Sequence, residues 1–302
     1  MWLDIQIFGF RALWSPYFMI FIVLVALAYF LITGPYRYKF DGHDRVSVKQ
    51  QLSFYAALLC LYIVKGAPID LLSHITLTAH MIQMAIFLLV VPILIIAGIP
   101  AWLWRTVIDR PVIKPVVEIG TKPLISLLVF NGLFSVYHVP VFFEFAKSSP
   151  VIHFFVHGIL FIAAFFMIFP LLSPLKEFDR MQPLLKIAYI FANSVLITPA
   201  CALIIFAPEP LYATYTQGGA WMQAMSLCVP GNVLQGLAPG LTGPEMFTPI
   251  STLEDQQLGG IIMKIMQEFT YGAILAVVIF SWFRKESSNK IDPLPPTTAE
   301  SH

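Results

Sequence analysis

Residues 75–98 read ITLTAHMIQMAIFLLVVPILIIAG, without a single Asp, Glu, Lys or Arg. As a helix rising about 1.5 Å per residue they would extend for about 36 Å. That exceeds the roughly 30 Å hydrocarbon core of a bilayer, so the stretch is expected to cross a membrane. Six further apolar stretches repeat the pattern, at 14–34, 51–68, 123–140, 151–171, 185–207 and 260–282. Pro92, Pro199 and Gly272 lie inside them. Neighbouring helices can satisfy the backbone groups that such residues free, so these do not argue against spans. The expected fold is an all-α integral membrane protein, a bundle of about seven transmembrane helices.

Composition agrees with this reading. Of 302 residues, 58% are hydrophobic and 12% charged, against about 25% charged in a soluble domain. A net charge of +1 gives no electrostatic basis for nucleic acid as a partner. Membrane lipid is the expected surrounding. Cys60, Cys201 and Cys228 are far apart and odd in number, which argues against a disulfide framework. The opening MWLDIQIFGFR lacks the basic start of a cleaved signal peptide.

Charge sets the expected orientation. Arg37, Lys39, Arg45 and Lys49 fall between the first and second spans, and Arg105, Arg110, Lys114 and Lys122 between the third and fourth. Lys176, Arg180 and Lys186 fall between the fifth and sixth, and Arg284, Lys285 and Lys290 follow the seventh. Only Arg11, Lys65, Lys147 and Lys264 fall elsewhere. Basic loops stay in the cytoplasm, so the N-terminus is expected outside and the C-terminus inside. Residues 1–285 read as one polytopic domain in the cell membrane. Its longest loop, 207–259, is external, and 286–302 form a disordered cytoplasmic tail. The loop aromatics Tyr212, Tyr215, Trp221 and Phe247 are expected to rest on the membrane surface or on a partner.

The histidines are the clearest candidates for chemistry. His43 and His302 fall in solvated segments and His74 in a short outer loop. His80, His138, His153 and His157 lie within spans whose alternating directions place all four near the outer face. Ionisable groups are costly in a bilayer and usually mark function. His153 and His157 are four apart and share a helix face, a spacing that suits two imidazoles on one metal ion. Met84 follows His80 on the same face, and thioether with imidazole favours copper, above all Cu(I). Asp255 opens the seventh span, where it either caps the helix or, with the two glutamines after it, orients imidazoles. The plainer alternative is that each His makes a helix–helix hydrogen bond or sits at headgroup level, and that each Met fills core. Glycine-rich nucleotide loops, Walker sequences and HExxH are absent.

These segments resemble the CtaG family of assembly factors for caa-type cytochrome c oxidase. The resemblance runs from the first span to the seventh. It is carried by AHMIQM at 79–84, IPAWLWR at 99–105, YHVP at 137–140, HFFVH at 153–157 and DQQLGG at 255–260. It implies a seven-span protein, not an enzyme, that is needed for an active oxidase through copper delivery to the catalytic subunit. The resemblance departs at Met84, where many members of that family have a second His, so a thioether would replace an imidazole there. Two other readings stay open. One is a haem b electron-transfer protein using two axial histidines, such as His80 and His138. The other is a copper or small-solute permease.

Overall fold

The computed structural model describes residues 2–40, 44–237, 240, 241 and 243–289. The described residues form helices and no strand. Two short helices, α1 (Trp2–Ile5) and α2 (Gly9–Trp14), precede α3 (Pro16–Thr33). Ser15, in the left-handed region at φ 37°, breaks the chain between α2 and α3, and Pro16 begins α3 with a φ already suited to a helix. Next come α4 (Val48–Lys65) and the short α5 (Pro68–Leu72). The third apolar stretch is α6 (Leu77–Ala85), a π-helical turn at Ile86–Val90 and α7 (Val91–Gly98). Pro92 cannot donate to the carbonyl four residues back, and the wide turn just before it accommodates that lost bond.

The chain continues through α8 (Ala101–Ile108), α9 (Ile113–Gly120), α10 (Pro123–Tyr137) and α11 (Pro140–Ala146). Two long helices follow, α12 (Pro150–Leu172) and α13 (Pro183–Ile205). Three short ones, α14 (Ala213–Thr216), α15 (Gly218–Met225) and α16 (Gly231–Leu237), lead to α17 (Thr252–Asn289).

All seven expected stretches are helical, but they are not equal. Five helical segments are long and apolar enough to cross a membrane: Gln6–Thr33, Leu77–Gly98, Pro150–Leu172, Pro183–Ile205 and Thr252–Arg284. A sixth is reached if Ile113–Gly120 and Pro123–Tyr137, bent 82° to one another, count as one broken span. Helix α4 begins at Val48 and ends at Lys65. Its Lys49, Gln50, Gln51 and Lys65 dilute its apolar run, so length and apolarity alone do not make it a crossing. Helix α10 has 15 residues, about 22 Å, and is short for a full span.

The third stretch is the centre of the bundle. Helix α6 packs on α17, α7 packs on α4 and α12, and α10 lies against α12 and α13. Gly98 permits close contact with α4, since a Cβ there would sit 2.6 Å from the Phe54 backbone nitrogen. Tyr29 of α3 donates to the Gly98 carbonyl at 2.9 Å. A large core of Leu, Ile, Met and Phe side chains fills the space between these helices.

The region 207–259 is more ordered than its Pro and Gly content implies. Trp221, Met225, Val229, Leu234 and Phe247 close over Ile5, Phe8, Leu13, Leu71 and Ile75 to form a second small core. Tyr212, Tyr215, Trp221 and Phe247 are all buried, and thus face neither a membrane surface nor a partner. Trp221 and Phe247 pack on the N-terminal segment and α5, whereas Tyr212 and Tyr215 pack on Phe143 and bond to the His138 and Ser73 carbonyls, all too far away in sequence to be read from local pattern. Helix α17 runs through Asn289, four residues into the expected tail. Residues 290–302, with His302, lie outside the described residues, as does His43.

Candidate functional site

Helix α12 supplies the first two groups of the site. Ser149 caps it by accepting from the Ile152 amide, and Pro150 starts its first turn. The chain then places His153 and His157 one turn apart, with their rings 4.0 Å between centroids. Tyr137, the last residue of α10, directs its hydroxyl between His157 Nε2 at 3.2 Å and His80 Nε2 at 3.3 Å. The His80 and His157 rings are 6.3 Å apart. His80, Tyr137 and His157 are all buried.

Lys65, at the end of α4, lies 2.8 Å from His157 Nδ1. With the lysine amine as donor, the hydrogen bonds acquire a direction. His157 Nδ1 accepts, so its Nε2 carries the proton and donates to the Tyr137 oxygen; the Tyr137 hydroxyl then donates to His80 Nε2. The chain Lys65–His157–Tyr137–His80 joins α4, α12, α10 and α6.

His74 extends the cluster outward, its ring 5.7 Å from that of His153. Burial above all, with the nearby charges of Lys147, His153 and Lys65, holds His74 well below the usual imidazole range. Lys147 follows α11 and is 2% exposed. It donates to the Tyr215 hydroxyl at 2.8 Å and the Ser73 carbonyl at 3.4 Å, and lies over the rings of Phe143 and Tyr215. Burial pushes its amine down to about 7, against the opposing pull of Glu144. Asp70 accepts from Gln83 Nε2 at 2.7 Å. Burial raises its carboxyl, while Lys65, Gln83 and Lys147 act against that rise. Asp70 thus lies between the charges of Lys65 and Lys147, and Glu144 adds a second carboxylate beside Lys147.

The sequence candidates separate on this geometry. His80, His153 and His157 come together. His138 lies next to Tyr137, but its Nδ1 is bonded to the Phe134 carbonyl at 2.7 Å. The carbonyl can only accept, so Nδ1 carries the proton and Nε2 keeps its lone pair. That nitrogen is buried without a partner, as are His74 Nδ1 and His153 Nδ1. Met84 is fully buried in the main core. Asp255 instead ties two helices together: its carboxylate accepts from the Leu77 amide at 2.6 Å and the Thr78 amide at 3.2 Å. It thereby caps α6 from α17. Among the described residues, no three His, Cys, Asp or Glu side chains already form a group that could hold a metal ion.

The rest of DQQLGG also joins helices. Gln256 accepts from the Leu211 amide at 2.7 Å and donates to the Ile204 carbonyl at 3.2 Å. A Cβ on Gly259 would sit 3.1 Å from the Thr78 nitrogen, and one on Gly260 2.7 Å from Ile205. Sequence reading missed Lys65, Asp70, His74, Lys147 and the bridging role of Tyr137. A signal for two of these was present, because Lys65 and Lys147 are exceptions to the charge split.

Several recesses open on the surface, among them one of about 290 Å³ between α6 and α17 that reaches Asp255. A cleft of about 940 Å³ lined by Lys39, Arg45, Trp102, Arg105 and Arg110 lies among the basic loops, away from the histidines. An apolar groove of about 190 Å³ between α10 and α12 reaches Tyr137 past Leu133, Val156 and Leu160.

Fold and site together define a multi-pass helical membrane protein with a buried His–Tyr–Lys cluster near one end of the bundle. The chain belongs to the cytochrome c oxidase caa3 assembly factor (Caa3_CtaG) family, whose model matches residues 27–285. No curated protein and no solved structure matches the chain significantly. Membership in an assembly-factor family implies association with cytochrome c oxidase.

Proposed function

We propose that the histidine cluster carries Cu(I) as cargo on its way to the oxidase catalytic subunit, at the face where the basic loops are not. One observation carries this reading: three buried imidazole nitrogens, on His74, His138 and His153, lack any partner. Neutral imidazole is a good copper donor. A buried nitrogen left without a hydrogen bond is costly, so binding a soft cation would recover that loss. Metal–imidazole bonds run to about 2 Å. His153 and His157 lie close enough for rotamer changes to present both to one ion. His80 and His157 would join them once the Tyr137 hydroxyl gives up its bridge. Met84 and Asp255 enter the ligand set from the sequence alone: one fills core and the other caps a helix in this conformation.

In this reading the chain's own residues do three things. The protein excludes water from the imidazoles, holds His138 in the tautomer with a free Nε2, and sets two lysines beside the site. The Lys65 amine, 2.8 Å from His157 Nδ1, competes for that nitrogen and favours release. No catalytic turnover is proposed.

The test is Cu(I) titration of the purified protein, with oxidase activity measured in a deletion strain. One tightly bound Cu(I) is expected, lost in a His153→Ala/His157→Ala variant. Cytochrome c oxidase activity should disappear on deletion while haem a absorbance persists. A Soret band in the purified protein would favour haem b binding instead. Copper uptake into vesicles would favour a permease. Absence of Cu(I) binding sinks the cargo reading and leaves the family role standing.

A further inference from the structure

The cleft of about 940 Å³ opens where the loop before α4 meets α8. Lys39, Arg45, Arg105 and Arg110 line it, against Asp44 and Asp109. Arg105 is engaged by Glu177 at 3.4 Å, and Lys39 Nζ lies over the Tyr36 ring at 4.9 Å. Arg45 and Arg110 are exposed. Among the described residues neither enters an ion pair, with the two aspartates or with any other acid. Two guanidinium groups on facing walls of one recess are thus left to an anion from outside.

Helix α8 adds donors of another kind. It starts at Ala101 without a side-chain cap, and its first turn lines the cleft. The Pro100 carbonyl accepts from the Leu103 and Trp104 amides at 3.0 and 3.1 Å. The Ala101 and Trp102 amides donate to no other group among the described residues. Uncapped amides at a helix start attract anions. Trp102 is 7% exposed and forms part of the same wall, its ring 5.4 Å from that of Phe40. Its Nε1 is buried without a hydrogen-bond partner, a deficit that an acceptor oxygen would remove. Charge that only sets membrane orientation needs neither an uncapped helix start nor a buried indole N–H.

We infer that this cleft binds a phosphate group, supplied by the headgroup of an anionic phospholipid. Phosphate joins negative charge to several acceptor oxygens, which suits guanidinium, amide and indole donors together. The surroundings select a lipid as its source. Tyr36 and Tyr38, beside Lys39, are 49% and 66% exposed. Helix α9, which follows Arg110, turns 82° from α10 and leaves Val112, Val116 and Ile119 exposed. Exposed tyrosines and a short helix with an open apolar face belong to the headgroup layer. A basic pocket at that level is placed to hold an anionic headgroup. No histidine of the copper cluster lines the cleft, so this site stands independently of the copper reading.

The full-length protein should be placed in phosphatidylcholine discs that contain a graded fraction of phosphatidylglycerol. Native mass spectrometry then counts the lipid retained on the released protein. Selective retention of phosphatidylglycerol is expected. Arg45→Gln/Arg110→Gln should raise the fraction needed for half-retention by about ten-fold or more. Both side chains are exposed, so folding is not threatened. Lys114→Gln/Lys176→Gln removes two other exposed charges from the basic loops, outside the cleft, and should change nothing. Trp102→Phe keeps an aromatic wall and deletes the indole N–H, and should weaken retention about five-fold. A parallel titration with inorganic phosphate separates the two sources. Phosphate bound through Arg45 and Arg110 without retained lipid would support the phosphate site and overturn the lipid source. Equal retention of both lipids with no phosphate binding overturns the site. So does an equal loss in the two double variants, which would reduce the cleft to general surface charge.

Discussion

Lys65 Nζ stands 2.8 Å from Nδ1 of His157, and this contact occupies one of the two nitrogens that a metal would use. A cation on the protein thus holds a place beside the imidazole that cargo would take. The second nitrogen of His157 is taken up by Tyr137. The most central histidine is therefore the most fully satisfied, whereas the unpartnered nitrogens belong to His74, His138 and His153.

Removing the lysine should strengthen copper binding. Lys65→Met keeps the length of an apolar chain and deletes both the donor and a nearby positive charge. Breaking one hydrogen bond of about 1 kcal/mol corresponds to roughly five-fold in affinity. A competition titration with a chromophoric Cu(I) chelator would measure this. An unchanged or weaker affinity would show that Lys65 does not compete for His157.

The contact between α17 and α6 predicts a stability pattern. Asp255→Ala removes a carboxylate that accepts from the Leu77 and Thr78 amides, a loss of about 1–2 kcal/mol by analogy with helix caps. Gly259→Ala forces a methyl to within 3.2 Å of the same backbone, and overpacking of that kind costs about 1–3 kcal/mol. Thermal unfolding in detergent should show both, while Gly132→Ala stays within experimental error. Equal effects at all three positions would remove the special role given to the α17–α6 contact.

Sequence reading recovered the helical class and the membrane character because both depend on long apolar runs. It assigned His80, His153 and His157 a common depth from alternating span direction; in the fold the His80–His157 and His153–His157 ring pairs lie 6.3 and 4.0 Å apart. It could not see that Asp255 reaches back to Leu77, a separation of 178 residues. Nor could it see that Trp221 and Phe247 cover Ile5 and Phe8. Those contacts depend on tertiary folding of a segment with no periodicity. The status of α4 is harder for another reason. Its Lys65 weakens the apolar signal because that lysine belongs to the site.

Reporter fusions would settle how many helices cross. If α4 crosses, fusions after Lys39 and after Gly66 should report opposite sides, cytoplasm and exterior respectively. If α9 and α10 act as one crossing, fusions after Lys114 and after Ser148 should also differ. A fusion after Gly240 should report the exterior, as the basic loops require. A cytoplasmic signal at Gly240 would reverse the assigned orientation.

Lys147 gives the stability a dependence on pH. Its amine lies outside the long spans and is pushed from the usual 10.5 down to about 7, chiefly by burial. Above 10.5 the amine is neutral in both folded and unfolded chains. Between 10.5 and 7 the unfolded chain binds a proton that the folded chain does not, so falling pH favours unfolding. Below 7 both are protonated and the penalty stays constant. Stability should therefore decline as pH falls through that window and then level off. Lys147→Met loses the bond to Tyr215 at every pH, a constant offset, but it also loses the titration. Subtracting the two unfolding curves isolates the lysine. The unaltered protein should compare best with the variant near pH 10 and worst near pH 7. A difference that does not change between those limits would mean that Lys147 stays charged in the folded protein.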